Sequence, residues 1–159
     1  MSDHFNPFEF EFWLPVLVSV LCGVIVGLER QLRGKPLDVR TAVMICLGTH
    51  IFIRLGASHS GDSVDPTRVL GQVVTGIGFL GAGVILTRGQ YVMGLTTAAV
   101  IWVLAAIGAC IGFGYYGAAI ALALVTLIVL NALEMIEDRL ASMRRGPHRK
   151  PESDTDRQL

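Results

Sequence analysis

Long apolar stretches separated by short charged segments dominate the sequence. A helix that crosses the hydrocarbon core of a membrane needs about 20 mostly apolar residues, so the gaps between charges locate candidate spans. Uncharged stretches at 12–28, 41–53 and 69–87 predict three spans, the second of which is the most polar because it contains His50 and ends before Arg54. The uncharged stretch 89–133 is too long for one crossing and predicts two more.

The segment from Gly112 to Gly117 is the predicted turn between the last two spans. Its glycines end helices readily, and its tyrosines suit a membrane interface. The sequence therefore predicts an all-α bundle of five transmembrane helices at 12–134, preceded by an extracytoplasmic segment at 1–11. The basic tail at 135–159 is predicted to be disordered, since from Arg139 onwards it has few apolar residues to bury.

Most cations lie on one side of the predicted spans. Short loops rich in lysine and arginine stay in the cytoplasm, and nearly all of these residues follow spans one, three or five. Only Arg54 and Arg68 fall on the other side, beside acidic residues. The sequence thus predicts an outer N-terminus and a cytoplasmic C-terminus. Its start lacks the basic region of a cleavable signal peptide, so span one is predicted to be retained.

The composition excludes several classes of protein. The 159 residues are 52% hydrophobic and 16% charged, whereas soluble domains have about 25% charged residues. Thirteen cations balance thirteen anions, so the chain lacks the net positive charge typical of nucleic-acid binding. No Ser/His/Asp or Cys/His set has recognisable catalytic spacing, and we expect neither enzyme activity nor a cofactor.

The sequence contains parts of a metal site and of a dinucleotide-binding motif, and both are incomplete. Cys22, Cys46 and Cys110 all lie in predicted spans, where an odd number of thiols argues against a disulfide framework. Cys46 and His50 are one turn apart, as in half of a metal site, but two further ligands are missing, so we interpret them as packing residues. The motif Gly76-Ile-Gly-Phe-Leu-Gly81 matches a dinucleotide fingerprint without the βαβ context that such binding needs.

Small residues form stripes on two of the predicted spans. Membrane helices pack closely where small side chains let their backbones approach. Ser19, Gly23 and Gly27 form a stripe on span one that has no assigned partner and so predicts a homo-oligomer. Span three carries small residues on two faces and is predicted to lie at the centre of the bundle. Its glycines are Gly71, Gly76, Gly78, Gly81 and Gly83.

Polar residues of span four are predicted to contact span three. Thr96 and Thr97 would donate hydrogen bonds between these two helices, because hydroxyl groups commonly join helices in membranes. Trp102 is the one large side chain of span four with a polar group, and we expect it to pack between helices.

Charged and polar side chains gather at both ends of the predicted spans. Ionisable groups at membrane depth are costly unless they are paired or hydrated, so we expect them to meet. The cytoplasmic cluster comprises Glu29, Arg30, Arg40 and Thr41. It is either a network that locks helix ends together or a regulatory, ion-sensing site.

A second cluster is predicted at the outer ends of the spans. Asp65 would cap the third helix, with Pro66 at the first helical position. Asp65 and Arg68 taken alone are explained as a capped, ion-paired helix start. The outer cluster comprises His50, Arg54, Asp65, Arg68 and Gln72.

Several blocks of the sequence together resemble the bacterial MgtC/SapB family of membrane proteins. The blocks are Gly27-Leu-Glu-Arg30, Arg40-Thr41, Asp65-Pro66-x-Arg68 with Gln72, Gly76-Ile-Gly-Phe-Leu-Gly-Ala-Gly83, and Gly94-Leu-Thr-Thr-Ala-Ala99 with Trp102 and Ala105-Ala106-x-Gly108. The resemblance implies a five-span, multi-pass protein of the inner membrane that is linked to growth in low Mg²⁺ and to acid or phosphate stress. In pathogens it implies a link to survival inside host cells.

The resemblance also implies a mechanism, with two departures from the family pattern. One well-known member inhibits the membrane ATP synthase rather than carrying Mg²⁺. Here, however, Asp38-Val-Arg-Thr-Ala42 lacks the glycine and the histidine that commonly flank this block. The chain also ends in a short polar tail where virulence-associated members continue into a folded cytoplasmic domain, so it resembles the short SapB-like members.

Three functions of different classes remain open on the sequence. The leading hypothesis is a non-enzymatic regulator that supports Mg²⁺ homeostasis by contacting another membrane complex, surrounded by lipid and assembled as a homo-oligomer. The rival hypothesis is a small ion or solute transporter or channel whose third span lines the path. A structural scaffold that organises lipids is the third.

Overall fold

The computed structural model describes residues 6–58, 66–88 and 91–144, apart from the side chains of residues 66, 67, 88, 134 and 137–144. This part of the chain contains five helices and one two-stranded hairpin. In chain order the elements are α1 (Phe10–Leu32), α2 (Val39–Ser58), α3 (Pro66–Gly83), β1 (Leu86–Arg88), β2 (Tyr91–Met93), α4 (Leu95–Gly112) and α5 (Tyr116–Arg144). The all-helical class is confirmed, and α4 and α5 meet at the predicted turn.

Four of the five helices are long and apolar enough to cross a membrane. They are α1, α2, α4 and the part of α5 from Tyr116 to Leu133. Helix α3 has 18 residues but carries Arg68, Gln72 and five glycines, which lower its mean hydropathy. The protein is therefore a helical membrane protein, whereas the fifth span and the orientation of the termini stay predictions.

Glycines in the left-handed conformation end α1 and α4. Gly34 has a φ of 63°, and the N–H of Lys35 after it donates to the carbonyl of Arg30 at 3.0 Å. This bond is the one that defines a Schellman motif, in which glycine takes the positive φ at no steric cost. Gly114, with a φ of 86°, ends α4 in the same way. Both turns are short, and the first starts α2 only a few residues after α1 ends.

Helix α2 is in close contact with both α1 and α4. A Cβ atom added to Gly23 of α1 would lie 2.6 Å from a Cα of α2, and Gly27 makes a similar approach. Further along α2, a Cβ added to Gly108 of α4 would lie 2.6 Å from the carbonyl oxygen of Cys46, and Gly112 is similarly close to α2. Two glycine pairs at four-residue spacing thus press α1 and α4 against α2.

Helix α3 is peripheral to these helices, which corrects the prediction that it lies at the centre. It packs mainly on α4. A Cβ added to Gly71, Gly76 or Gly83 would meet no atom within 4 Å. A Cβ added to Gly78 or Gly81 would lie 3.9 or 3.5 Å from the ring of Trp102. The reason is that α1 and α4, rather than α3, supply the glycines that contact the central helix.

The small-residue stripe on α1 has a partner within the chain. Gly23 and Gly27 contact α2, and Ser19 is fully buried. The prediction of a homo-oligomer rested on this stripe being unpartnered, so that argument no longer supports it. The oligomeric state stays a prediction.

The chain divides into two compact units, Met1–Leu127 and Ile128–Leu159. In the first unit α5 buries Ala119 and Ala123 while exposing many of its larger apolar side chains. In the second unit α5 continues to Arg144, beyond the boundary at 134 predicted for the membrane domain. Residues 135–144 contain good helix formers and neither glycine nor proline, which explains the extension. Residues 145–159 of the predicted tail lie outside the described residues.

A short antiparallel hairpin follows α3 and was not predicted. Leu86 pairs with Met93, and Thr87 with Val92. The charge-free stretch 69–87 placed Thr87 in the third span. A short apolar segment fits a strand as well as a helix, so spacing between charges alone did not separate the two.

Candidate functional site

A buried ion-pair cluster closes the C-terminal end of α1. The carboxylate of Glu29 accepts hydrogen bonds from Nε of Arg30 at 2.6 Å and from its Nη2 at 3.2 Å. Nε of Arg33 lies 2.8 Å from the same carboxylate. The Glu29 and Arg30 side chains are only 6% and 2% exposed. Two cations therefore share one buried carboxylate at the helix end where the helix dipole favours positive charge.

The structure brings Glu29 and Arg30 together and adds Arg33, which the sequence analysis missed. The signal was present in the sequence, because Glu29 and Arg33 are four residues apart on a helix and such pairs face each other.

Arg40 does not join this cluster, which corrects the predicted grouping. Its side chain is 94% exposed, and its Nε lies 3.4 Å from Oδ2 of Asp38. Helix α2 begins at Val39 and buries Ala42 and Cys46, so its rotation turns Arg40 outward. Thr41, the fourth predicted member, is exposed as well.

Asp38 caps the start of α2. The backbone N–H of Thr41 donates to Oδ1 of Asp38 at 2.8 Å, which satisfies one of the free donors in the first turn. Hydrogen bonds from the Thr41 hydroxyl and N–H to this carboxylate hold the pKa of Asp38 below its usual value of 3.8. The sequence analysis did not identify this cap, although an aspartate directly before the first residue of a helix is a recognised helix-start signal.

His50 lies in the packed interface between α1 and α2. The hydroxyl of Ser19 donates to the carbonyl of Pro15 at 2.8 Å, so its oxygen accepts from Nδ1 of His50 at 3.4 Å. The thiol of Cys46 donates to the carbonyl of Leu104 at 3.4 Å. Both side chains thus bond to protein groups. Among the described residues no three His, Cys, Asp or Glu side chains are arranged to hold a metal ion.

The predicted outer cluster does not assemble around His50. His50 faces α1, whereas Gln72 of α3 lines a cavity on the opposite face of α2. Arg68 is exposed near the start of α3, and Arg54 follows His50 by one turn. Asp65 lies outside the described residues. Helical rotation separates side chains that the sequence placed at similar membrane depth.

A cavity of about 570 Å³ lies between α2 and α3, and we call it the α2–α3 groove. Its polar side chains are Thr41, Thr49 and Gln72, and the other positions are apolar or glycine. Gly48 and Gly76 leave open space, because a Cβ on either would meet nothing within 4 Å. The lining residues are Thr41, Met44, Ile45, Gly48, Thr49, Phe52, Val69, Gln72, Val73, Gly76, Ile77 and Leu80.

The threonines and the tryptophan of α4 are placed differently from one another. Thr97 is buried in the first turn of α4 and Thr96 is exposed. Trp102 contacts α3 at Gly78 and Gly81. Hydrogen bonds from the two threonines to α3 stay a prediction.

The chain matches one protein family and several curated proteins over most of its length. The model of the MgtC family matches residues 16–139. The "Putative magnesium transporter YhiD" of Escherichia coli (strain K12) is 46% identical over 132 residues, which cover 79% of this chain and 61% of that protein. "Protein MgtC" of Salmonella typhimurium (strain LT2) is 41% identical over 138 residues, which cover 87% and 58%. "Protein MgtC" of Brucella abortus (strain 2308) is 40% identical over 146 residues, which cover 84% and 60%.

These matches cover most of this chain and part of each relative. The chain spans about three fifths of the length of the curated relatives it matches. No solved structure matches it significantly.

Proposed function

This chain belongs to the MgtC family, and on that premise we propose that it supports Mg²⁺ homeostasis by contacting another complex in the bacterial inner membrane. The family resemblance makes the ATP synthase the first partner to test. In this proposal the chain neither catalyses a reaction nor carries Mg²⁺. The proposal concerns the membrane part, since the relatives are longer than this chain.

The open glycine face of α3 is the observation that carries the proposal. Gly71 and Gly83 leave open space, and Phe79 on the same helix is 81% exposed. In lipid, helices associate where small residues let backbones approach, and a large apolar side chain beside them adds contact area. A helix of another membrane protein fits this face, whereas the glycines of α1 and α4 are already in contact with α2.

The lining of the α2–α3 groove supports contact rather than ion transport. Mg²⁺ binds oxygen ligands and loses its water reluctantly, and ion paths through membranes are lined by charged or carbonyl groups. The groove offers three polar side chains, Thr41, Thr49 and Gln72, among twelve lining residues. Glu29 is a buried carboxylate, but it is already ion-paired with Arg30 and Arg33. This pairing favours a role in holding the end of α1 together over a role in binding Mg²⁺.

A transporter is the second candidate, favoured by the printed name of the YhiD relative. The open side of α3 would then line a path completed by a second copy of the chain. This alternative requires saturable Mg²⁺ flux through the purified protein, which the regulatory proposal forbids.

Site-specific photo-crosslinking in native membranes tests the proposal. A photo-reactive residue replaces Phe79 on α3, and the control replaces Leu17, which is 57% exposed on α1. We expect the α3 position to capture a subunit of another membrane complex that the α1 position does not capture. Identical products from both positions, or products that contain only this chain, would contradict the proposal.

A further inference from the structure

The α2–α3 groove has the length of one membrane leaflet. It runs from Thr41 to Phe52 on α2 and from Val69 to Leu80 on α3. At about 1.5 Å per residue, each wall is about 16 Å long. The hydrocarbon core of a bilayer is about 30 Å thick, so one leaflet contributes about 15 Å.

The groove lies mainly in the leaflet next to the α1–α2 loop. Helix α2 has 20 residues, which span about 30 Å, and Thr41 is its third residue. The groove therefore starts close to the membrane surface on the loop side and ends a little beyond the midplane. A transmembrane helix would run past it through the whole membrane, whereas a lipid acyl chain needs only this one leaflet.

The walls of the groove suit an acyl chain. Met44, Phe52 and Leu80 are exposed, so the groove opens sideways to the surroundings of the protein. Gly48 on one wall and Gly76 on the other have no side chain to fill the space between the two helices. A volume of about 570 Å³ is within the range of ~300–1,000 Å³ that small-molecule sites occupy. An acyl chain has no polar atoms, so it suits the nine lining positions that are apolar or glycine; Thr41, Thr49 and Gln72 are the three polar ones.

The loop end of the groove carries positive charge. Arg40 directly precedes Thr41 and is 94% exposed. Its contact with Asp38 is long and solvated, and a guanidinium has five N–H donors, so Arg40 retains donors for a phosphate. From Glu29 to Arg40 the four cations Arg30, Arg33, Lys35 and Arg40 outnumber the two carboxylates Glu29 and Asp38, although Arg30 and Arg33 share the carboxylate of Glu29. Basic residues at this level of a membrane attract anionic headgroups.

We propose that the α2–α3 groove holds one acyl chain of an anionic phospholipid from the leaflet next to the α1–α2 loop, with the lipid phosphate beside Arg40. The protein would keep this lipid after extraction from the membrane, when freely exchanging lipids are lost. The groove is not lined by Gly71, Phe79 or Gly83, the α3 residues assigned above to a partner complex.

Native mass spectrometry of the full chain tests the proposal. The protein is reconstituted with equal amounts of phosphatidylglycerol and phosphatidylcholine of identical acyl chains, then released from detergent in the spectrometer. We expect the wild type to retain one phosphatidylglycerol. Gly76→Leu should reduce retention about tenfold, which corresponds to about 1.4 kcal/mol of binding. Gly71→Leu is the matched control, because Gly71 is equally open on α3 but does not line the groove.

Two further variants separate the acyl-chain site from the headgroup site. Gly48→Leu fills the groove from α2 and should repeat the loss if Gly76→Leu fails to fold. Arg40→Gln should leave total lipid retention unchanged while removing the preference for phosphatidylglycerol over phosphatidylcholine. Equal retention by the wild type and both leucine variants would overturn the proposal. A wild-type dimer that Gly76→Leu converts to a monomer would also overturn it, since a second copy would then occupy the groove.

Discussion

Alanine substitutions at two glycines should change stability in opposite directions. A Cβ at Gly108 would lie 2.6 Å from the carbonyl oxygen of Cys46, well inside ordinary contact distance, so α4 and α2 must separate. Overpacking of this kind typically costs about 1–3 kcal/mol. A Cβ at Gly71 meets nothing, and alanine favours a helix over glycine by up to about 1 kcal/mol. Gly108→Ala should therefore destabilise the protein and Gly71→Ala should be neutral or stabilising.

Equilibrium unfolding in mixed detergent micelles measures both effects on the same scale. Circular dichroism reports the loss of helix, and in a Trp13→Phe background the emission of Trp102, which contacts α3, reports the loss of tertiary packing. The reasoning would be refuted if Gly71→Ala destabilised the protein as much as Gly108→Ala. That result would restore α3 to the central position that its glycine pattern predicted from sequence.

Three further substitutions test the polar groups of the α1–α2 turn. Glu29→Ala should lower the free energy of unfolding by about 3–5 kcal/mol, because it removes the carboxylate from the buried Arg30 guanidinium. Arg33→Ala, which alters the more exposed contact, should lower it by less than about 1 kcal/mol. Equal losses would show that burial does not determine the strength of these contacts. Asp38→Ala should remove a pH dependence of the free energy of unfolding. The pKa of Asp38 is lowered in the fold, so its cap stabilises α2 above pH 3.8, and this stabilisation is lost as the pH falls through the lower pKa of the folded state. Stability curves of wild type and Asp38→Ala whose separation does not shrink as the pH falls below 3.8 would contradict the assigned cap.

The helices were predictable because charge spacing depends only on local sequence. A membrane excludes unpaired charge, so uncharged stretches mark helices, and glycine-rich turns mark their ends. The predicted start at Pro66 and the turn after Gly112 agree with the structure for this reason. The hairpin of β1 and β2 was not predicted because its strands have only three residues each, too few to show a helical or a strand period.

The arrangement of the helices was not predictable from the same information. A small-residue stripe shows that a helix can be approached closely, but it does not name the helix that approaches. Gly23 and Gly108 thus meet α2 at different levels along its length, although the more conspicuous glycines are on α3. The tertiary partners of a stripe depend on helix rotation and loop geometry.

The candidate site was predictable in part for a similar reason. Glu29 and Arg30 are adjacent in sequence, so their pairing needs little tertiary information. Arg40 was grouped with them because it lies at the same membrane depth, but the start of α2 at Val39 turns it towards solvent. The α2–α3 groove was not predicted, because it is formed by two helices whose contact the sequence did not indicate.

Magnesium flux through the purified protein tests most directly whether the chain acts by contact rather than by transport. The full chain is reconstituted in sealed liposomes that contain a Mg²⁺-sensitive dye, and Mg²⁺ is added outside with and without an imposed membrane potential. The account expects the wild type to give the same slow leak as liposomes without protein. Saturable Mg²⁺ entry through the wild type would contradict it and establish a transporter.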